Sequence, residues 1–267
     1  MRILLNGKEF FTDKTSLFQL VPVENRENTV KIINGFQTSD DVSLNENDEI
    51  FLIEKGKMPE ENQLEAMMSA RHTPKVHEKV KNAKVGIAGL GGLGSNIAVA
   101  LARLGVGHLV LADFDVVEPS NLNRQSYFIS HLGMKKTDAL ADEIRQINPF
   151  ISVETVCRRI TLDNAEEIFH DCEIVCEAFD NPQAKAELIN TVLEKMPDVK
   201  IVSGSGMAGY LSSNSIKTTH RFSRLYVCGD MENEAKQGCG LMSPRVMICA
   251  GHQANMILRL ILNENTP

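Results

Sequence analysis

From residue 84 onward, short apolar runs alternate with longer segments whose apolar positions recur every three or four residues. The short runs are typical of buried strands, and the longer segments have helical periodicity. The predicted strands are 84–88, 108–112, 152–156, 174–178 and 200–203. The first predicted helix follows strand 84–88 and ends near residue 104, and the other three cover 136–147, 182–196 and 244–263. This order predicts an α/β fold with a doubly wound, Rossmann-like, mostly parallel sheet that has helices on both faces.

Residues 1–56 show a different pattern, in which short apolar runs are separated by turns. The runs at 2–5 and 30–33 are each followed by an Asn-Gly pair, a strong signal for a two-residue hairpin. A third run covers 49–54, and residues 16–21 carry a one-turn helical face. The pattern suggests a small N-terminal β-grasp module, and an irregular extension of the main domain fits it equally well.

Residues 57–83 have the character of a helical connector. Their helical face would carry Leu64, Met67, Met68 and Arg71. Arg71 is therefore expected on an otherwise apolar stripe, and Pro74 is expected to interrupt the segment. The predicted organisation is a module at 1–56, a connector at 57–83 and a main domain at 84–267.

Composition narrows the class of protein without naming an activity. The chain has 267 residues, of which 43% are hydrophobic and 24% charged, as in ordinary globular proteins. A net charge of -7 argues against a general nucleic-acid binder. No apolar run is long enough to span a membrane, and the first residues do not resemble a secretory signal, so a cytoplasmic protein is expected.

The six cysteines include no C-x-x-C pair, so the sequence offers no zinc-ribbon spacing. Free thiols in a reducing compartment are the default expectation.

The strongest chemical signal is a glycine-rich turn between the first strand and first helix of the main domain. Gly89, Gly91 and Gly94 have the spacing G-x-G-x-x-G, with Gly92 inside the same turn. Such a turn lets backbone amides approach a phosphate at a helix N-terminus. Asp113, at the end of the second strand, is placed to accept hydrogen bonds from ribose hydroxyls. The pattern predicts nucleotide binding, and by itself it suggests NAD.

The charged residues that follow favour a triphosphate with Mg²⁺ instead. Asp115, Arg124 and Lys136 come after the second strand, and Asp180 follows the fourth. Ligands bind at the carboxyl edge of such sheets, so these side chains are expected to converge there. A hydride-transfer site does not need so many charges facing phosphates.

The ordered motifs resemble the ThiF/MoeB family, the bacterial branch of the ubiquitin-activating enzymes. They are Gly-Leu-Gly-Gly-Leu-Gly-Ser, then Asp-Phe-Asp-x-Val-x-x-Ser-Asn-Leu-Asn-Arg-Gln, then Gly133-x-x-Lys136, Asn148-Pro149 and Asp180-Asn181. The resemblance covers about residues 64–260 and is closest to ThiF-type proteins. Residues 1–56 are similar to the small sulfur carrier ThiS, through Ile-Leu-Leu-Asn-Gly and Leu-Asn-Glu-Asn-Asp-Glu-Ile.

The resemblance implies an ATP-dependent adenylyltransferase of thiamin biosynthesis. Its substrates would be Mg-ATP and the C-terminal glycine carboxylate of a ThiS-like sulfur carrier. The glycine turn, Asp113 and Asp115 would bind the nucleotide, with Asp180 on Mg²⁺. Asn121, Arg124 and Lys136 would hold the phosphates during transfer.

Arg71 and a cysteine near the C-terminal helix also have counterparts in the family. Arg71 matches an arginine that reaches the ATP of a partner subunit, which together with the apolar C-terminal helix indicates a homodimer. The alternative is an arginine whose stem lies along a packed helix. A later thiol step would use a cysteine after Asp180. Cys228 and Cys239 both qualify, and the glycines around Cys239 favour it.

The sequence also departs from the family. The zinc-binding cysteine pairs of many members are absent, so no structural zinc is expected. The N-terminal module ends without Gly-Gly and without a free terminus, so it is expected to be a docked domain and not a substrate. Two alternatives remain open: activation of another carboxylate, on a molybdopterin carrier, a tRNA base or a peptide, and a non-catalytic nucleotide-binding regulator.

Overall fold

The computed structural model describes residues 1–267, except for the side chain of Asn62. The chain divides into two compact units, residues 1–78 and 79–267. The division falls inside the predicted connector, which contains two helices: α1 (Glu61–Met68) and α2 (Val76–Asn82).

The first unit is a five-stranded sheet of mixed direction with the strand order β2-β1-β5-β3-β4. Its strands are β1 (Arg2–Leu5), β2 (Lys8–Phe11), β3 (Thr29–Ile33), β4 (Phe36–Thr38) and β5 (Glu49–Glu54). Both Asn-Gly pairs form the predicted hairpin turns, with positive φ at each residue. The first and last strands are parallel neighbours, as expected for the β-grasp arrangement.

Both faces of this small sheet are covered by its own unit. Ile3, Leu17, Leu44 and Ile50 form the core on one face. Alternate residues point to opposite faces of a strand, so Ile32 and Phe51 lie on the other face. There they pack against Ala66, Met67 and Ala70, in and just after helix α1. This explains why the connector is helical and amphipathic.

The helical prediction for the connector was wrong at its end. Helix α1 stops at Met68, and Arg71 lies in the turn beyond it. The Ser69 N–H bonds back to the helix, and the Ser69 hydroxyl donates to the Ala66 carbonyl at 2.9 Å. This serine bond competes with helix continuation, so Arg71 does not share the apolar stripe. Its guanidinium instead donates to Gln37.

The second unit confirms the predicted doubly wound α/β fold. Its sheet has the order β11-β12-β10-β9-β6-β7-β8. The strands are β6 (Lys84–Ala88), β7 (His108–Ala112), β8 (Ser152–Val156), β9 (Ile174–Glu177), β10 (Lys200–Gly204), β11 (Lys217–Phe222) and β12 (Leu225–Gly229). All pairings are parallel except that of β11 with β12.

The helices of the second unit lie between these parallel strands along the chain, except for the last helix, which follows the final strand. They are α3 (Gly92–Leu104), α4 (Lys136–Ile147), α5 (Ala165–Phe169), α6 (Pro182–Lys195) and α7 (Ser243–Ile261). The sequence pattern missed α5, β11 and β12. Strand β11 is an edge strand whose residues are mostly polar and exposed, so it carries no apolar signal. No helix among the described residues is long and apolar enough to span a membrane.

Candidate functional site

The glycine turn joins β6 to the N-terminus of α3, with Gly91 as the cap residue. Gly89 has φ of 89°, a conformation that favours glycine. A Cβ at Gly94 would lie 1.8 Å from the Gly89 carbonyl oxygen, so any side chain there would break the turn. Gly91 has open space, because a Cβ there would meet its nearest neighbour, Gln125, at 3.9 Å. The turn therefore leaves the amides at the start of α3 open to a ligand.

Asp113 follows β7 and is almost fully buried. Its Oδ2 accepts a hydrogen bond from the Leu90 N–H at 2.6 Å, and its Oδ1 accepts one from the Asp115 N–H at 2.8 Å. The carboxylate thus ties the glycine turn to the end of the second strand. A carboxylate can accept about four hydrogen bonds, so capacity remains for ribose hydroxyls.

A cleft of about 560 Å³ opens where these elements meet. That volume is within the usual range of small-molecule sites, roughly 300–1,000 Å³. Eight of the residues singled out from the sequence line it: Gly89, Gly91, Gly92, Asp113, Asp115, Arg124, Lys136 and Asp180. The structure therefore brings most of the candidate set together at the carboxyl edge of the sheet.

Two cations stand beside the glycine turn in this cleft. Lys136 is only 6% exposed, and its Nζ lies 3.0 Å from Asp115 Oδ2. Arg124 donates from Nη1 to the Ser120 carbonyl at 3.1 Å, while its buried Nε has no partner among the described residues. Arg124 lines the cleft, and a guanidinium group is suited to an anionic ligand.

Asp180 lies at the cleft beside the start of α6 and is exposed. Its carboxylate has no hydrogen bond or ion pair with the described residues. No cluster of three His, Cys, Asp or Glu side chains within the described chain could hold a metal ion. A single free carboxylate fits Mg²⁺ that is bound mainly through substrate phosphates and water.

Sequence reasoning missed an ion pair beside the same cleft, in which the carboxylate is fully buried. Glu177 is fully buried at the end of β9, where it accepts hydrogen bonds from Lys185 and, at 2.6 Å, from Ser203. Lys185 lines the cleft from α6 and also donates to the Gly204 carbonyl at 2.8 Å. The only signal was a glutamate that ends an apolar strand.

Two arginines at the end of β8 were also missed. Arg158 and Arg159 line the cleft, and the Arg159 guanidinium lies 4.0 Å from the centre of the Phe114 ring. This cation–π contact places another positive group near Asp113.

Four candidates are not among the residues that line the cleft. Gly94 packs beneath the turn. Asn121 is buried, and its Oδ1 accepts the Glu118 N–H at 3.1 Å, which caps a short 3₁₀ turn. Arg71 belongs to the first unit. Cys239 is partly exposed in the loop between β12 and α7.

The structure separates the two candidate thiols. Cys228 is fully buried, and burial raises its pKa to about 11, although a hydrogen bond with Thr218 opposes the shift. A thiol in that state is a poor nucleophile. Of the two, Cys239 is the accessible one.

Comparisons with known proteins give two family matches and several relatives. The ThiF family matches residues 64–267, and the ThiS-like ubiquitin family matches residues 1–56. "Adenylyltransferase and sulfurtransferase UBA4" of Saccharomyces cerevisiae is 31% identical over 195 residues, 70% of this chain and 44% of that protein. "Molybdopterin-synthase adenylyltransferase" of Haemophilus influenzae is 39% identical over 112 residues, 42% of this chain and 46% of that protein. The chain thus spans less than half the length of these relatives.

Solved structures show the same fold. The tRNA N6-threonylcarbamoyladenosine dehydratase of E. coli in complex with ATP has a TM-score of 0.68 at 24% identity, over 76% of this chain and 95% of that one. E. coli MccB with ATP has a TM-score of 0.56 at 25% identity, over 72% and 60%. The family matches confirm the resemblance inferred from the ordered motifs.

Proposed function

The chain belongs to the ThiF family, and from that premise we propose that it is an ATP-dependent adenylyltransferase acting on the C-terminal carboxylate of a small ubiquitin-like carrier protein. The observation that carries this proposal is the single cleft in which the glycine turn, Arg124, Lys136 and Asp180 meet. Cations, open amides and one unpaired carboxylate are the groups that a Mg-triphosphate requires.

The proposed reaction joins two anions. A carboxylate oxygen of the carrier forms a bond to the α-phosphorus of ATP, the bond from that phosphorus to the bridging oxygen of the β-phosphate breaks, and pyrophosphate leaves with the electron pair. An α-carboxyl has a pKa of roughly 3.5, so it is already ionised at neutral pH and needs no general base. The barrier comes from charge repulsion, which fixed cations lower.

The residues of the cleft divide this work. The amides of the glycine turn and the side chains of Arg124 and Lys136 would hold the phosphates. Asp113 would accept the ribose hydroxyls while it holds the turn in place. Asp115 pairs with Lys136 and thereby fixes the direction of its ammonium group. Asn121 would act indirectly, since its side chain caps the segment that carries Arg124.

Asp180 is the residue we propose for Mg²⁺. When bound, the ion would neutralise charge on the phosphates and so ease the approach of a second anion. Glu177 is unsuited to this role, because its carboxylate already accepts hydrogen bonds from Lys185 and Ser203.

The carrier would be a separate protein. The chain's own ThiS-like unit runs from Glu54 through Lys57 into helix α1, without a Gly-Gly end. Its similarity to ThiS supports a ThiS-type carrier and, as the finer proposal, a role in thiamin biosynthesis. Comparing a ThiS-type carrier with a carrier of the molybdopterin type as substrate tests this finer proposal.

ATP–pyrophosphate exchange tests the function directly. We expect exchange that depends on a β-grasp carrier ending in Gly-Gly and on Mg²⁺, with faster exchange for a ThiS-type carrier than for a molybdopterin-type carrier. The matched control is the same carrier without its two terminal glycines. Binding of ATP without exchange in the presence of either carrier would contradict the proposal and favour a regulator.

A further inference from the structure

One wall of the cleft is a loop that the adenylylation scheme does not use. This rim loop, residues 230–242, joins β12 to α7. Its residues that line the cleft are Asn233, Glu234, Ala235 and Leu241.

The rim loop is held at its first residue by a dense set of hydrogen bonds. Asp230 Oδ1 accepts the N–H groups of Glu232 at 3.0 Å and Asn233 at 2.9 Å, and Oδ2 accepts the Asn233 side chain at 2.7 Å. Burial by itself would raise the pKa of the Asp230 carboxyl. The hydrogen bonds from Asn233 and Glu232, with a neighbouring positive charge, outweigh burial and hold that pKa below its ordinary value.

That positive charge comes from the far end of the loop. Arg245, in the first turn of α7, donates from Nη2 to Asp230 and from Nη1 to the Ser212 carbonyl at 2.7 Å. The side chains of Asp230 and Arg245 are only 4% and 3% exposed. A buried ion pair therefore joins the start of the loop to the helix that follows it.

A second loop, residues 205–215 after β10, is joined to the rim loop. The Ala208 N–H donates to the Asn233 carbonyl at 3.0 Å, and the Gly209 N–H donates to the Gly240 carbonyl at 2.8 Å. Ser212, the third partner of the Asp230–Arg245 pair, lies in this second loop. Loss of the pair would therefore remove a side-chain tie from both loops at once.

Charge is unevenly distributed around the cleft. Every cation that lines it comes from other segments: Arg124, Lys136, Arg158, Arg159 and Lys185. The rim loop contributes no cation to the lining and one carboxylate, that of Glu234. A triphosphate would be repelled from Glu234, whereas the uncharged backbone of an extended peptide tail would not, provided that the tail's terminal carboxylate lies toward the cations.

We propose that the Asp230–Arg245 pair is a latch that positions the rim loop to receive the peptide tail of the carrier, and that it does not serve ATP binding. The two residues are positioning residues, because they act on the substrate through the loop. This inference rests on the proposed function and deepens it by assigning one side of the cleft to each substrate.

Kinetics with both substrates test the latch. The variants are Asp230→Asn, which removes the charge, and Arg245→Lys, which keeps the charge but replaces the two donating guanidinium nitrogens with a single ammonium nitrogen. We expect the KM for a Gly-Gly-tailed β-grasp carrier to rise roughly tenfold in D230N and less in R245K, because a misplaced positioning group weakens only the contacts it aligns. The KM for ATP should stay within about twofold of the parent value.

The matched control is Asp142→Asn, the same chemical change in an exposed ion pair with Arg145 on α4. We expect both of its KM values to be unchanged. Equal rises of the two KM values in D230N, or no rise in either, would overturn the latch. If D230N does not fold, the same criteria apply to R245K.

Trypsin provides a test that is independent of the proposed function. Lys236 is exposed within the rim loop. Cleavage after Lys236 should be several-fold faster in D230N than in the parent and D142N proteins, because released loops are cut more readily. Unchanged cleavage would overturn the latch even if the parent protein shows no exchange with any carrier, a result that would refute the adenylyltransferase proposal alone.

Discussion

Lys136 is a buried cation whose partner remains in contact with water. Its side chain is 7% exposed, whereas that of Asp115 is 49% exposed. Substitution Lys136→Gln would therefore leave a carboxylate that water can solvate, so the stability cost should be small. The phosphates would lose a fixed positive charge. We expect the rate of pyrophosphate exchange to fall roughly 10²-fold while the melting temperature stays nearly constant.

The control for this prediction is Lys195→Gln, an exposed lysine at the end of α6 that does not line the cleft. Its exchange rate should match that of the parent protein. A large loss of thermal stability in K136Q, or an unchanged exchange rate, would contradict the role given to Lys136.

The cysteines form a second prediction at the scale of single residues. All six are free thiols, of which Cys157 is exposed and Cys239 partly exposed. Burial raises the pKa of Cys172 and Cys249 to about 12. We expect a maleimide to modify Cys157 and Cys239 quickly in the native protein and the other thiols only after unfolding. Mass spectrometry of digested protein measures this, and rapid modification of Cys228 would contradict the assignment of accessible thiols.

At the scale of elements, the glycine turn separates a structural requirement from a functional one. Gly94→Ala would place a Cβ 1.8 Å from a carbonyl oxygen, whereas Gly91→Ala meets no atom closer than 3.9 Å. We expect G94A to lose about 4 kcal/mol of unfolding free energy or to fail to fold. G91A should stay within about 1 kcal/mol of the parent protein.

G91A should nevertheless bind ATP more weakly, because its methyl group lies where the backbone approaches a phosphate. Chemical denaturation and ATP titration of the two variants measure these effects. If G91A binds ATP as tightly as the parent protein, the assignment of the phosphate site to the glycine turn is wrong.

At the scale of the whole molecule, the prediction concerns Arg71, which belongs to the first unit. We expect a homodimer in which Arg71 of one protomer serves the cleft of its partner. Arg71→Ala and Lys136→Gln proteins would then each be inactive alone. When the two variants are dissociated, mixed and allowed to reassociate, half of the dimers should contain one protomer of each variant and therefore one intact site of two. The mixture should then recover about a quarter of the exchange rate of the parent protein. Recovery no greater than the summed activities of the separate variants would refute shared sites.

Local signals along the chain determined most of the fold. The alternation of strand and helix patterns predicted the parallel sheet, the two Asn-Gly pairs predicted both hairpin turns, and the glycine spacing predicted the turn before α3. Each of these depends on backbone preferences of neighbouring residues or on periodic burial, so the sequence alone contains the information. The convergence of Asp113, Arg124, Lys136 and Asp180 also followed, because parallel strands end at the same edge.

Only the tertiary structure decided which distant side chains meet. The pairs Glu177–Lys185 and Asp230–Arg245 join residues on different elements, and nothing in the local sequence shows which residue each of them pairs with. The end of helix α1 before Arg71 likewise depended on a serine hydrogen bond that competes with helical periodicity. Periodicity reports which face of an element is buried, whereas pairing across elements depends on packing in three dimensions, which the order of residues does not display.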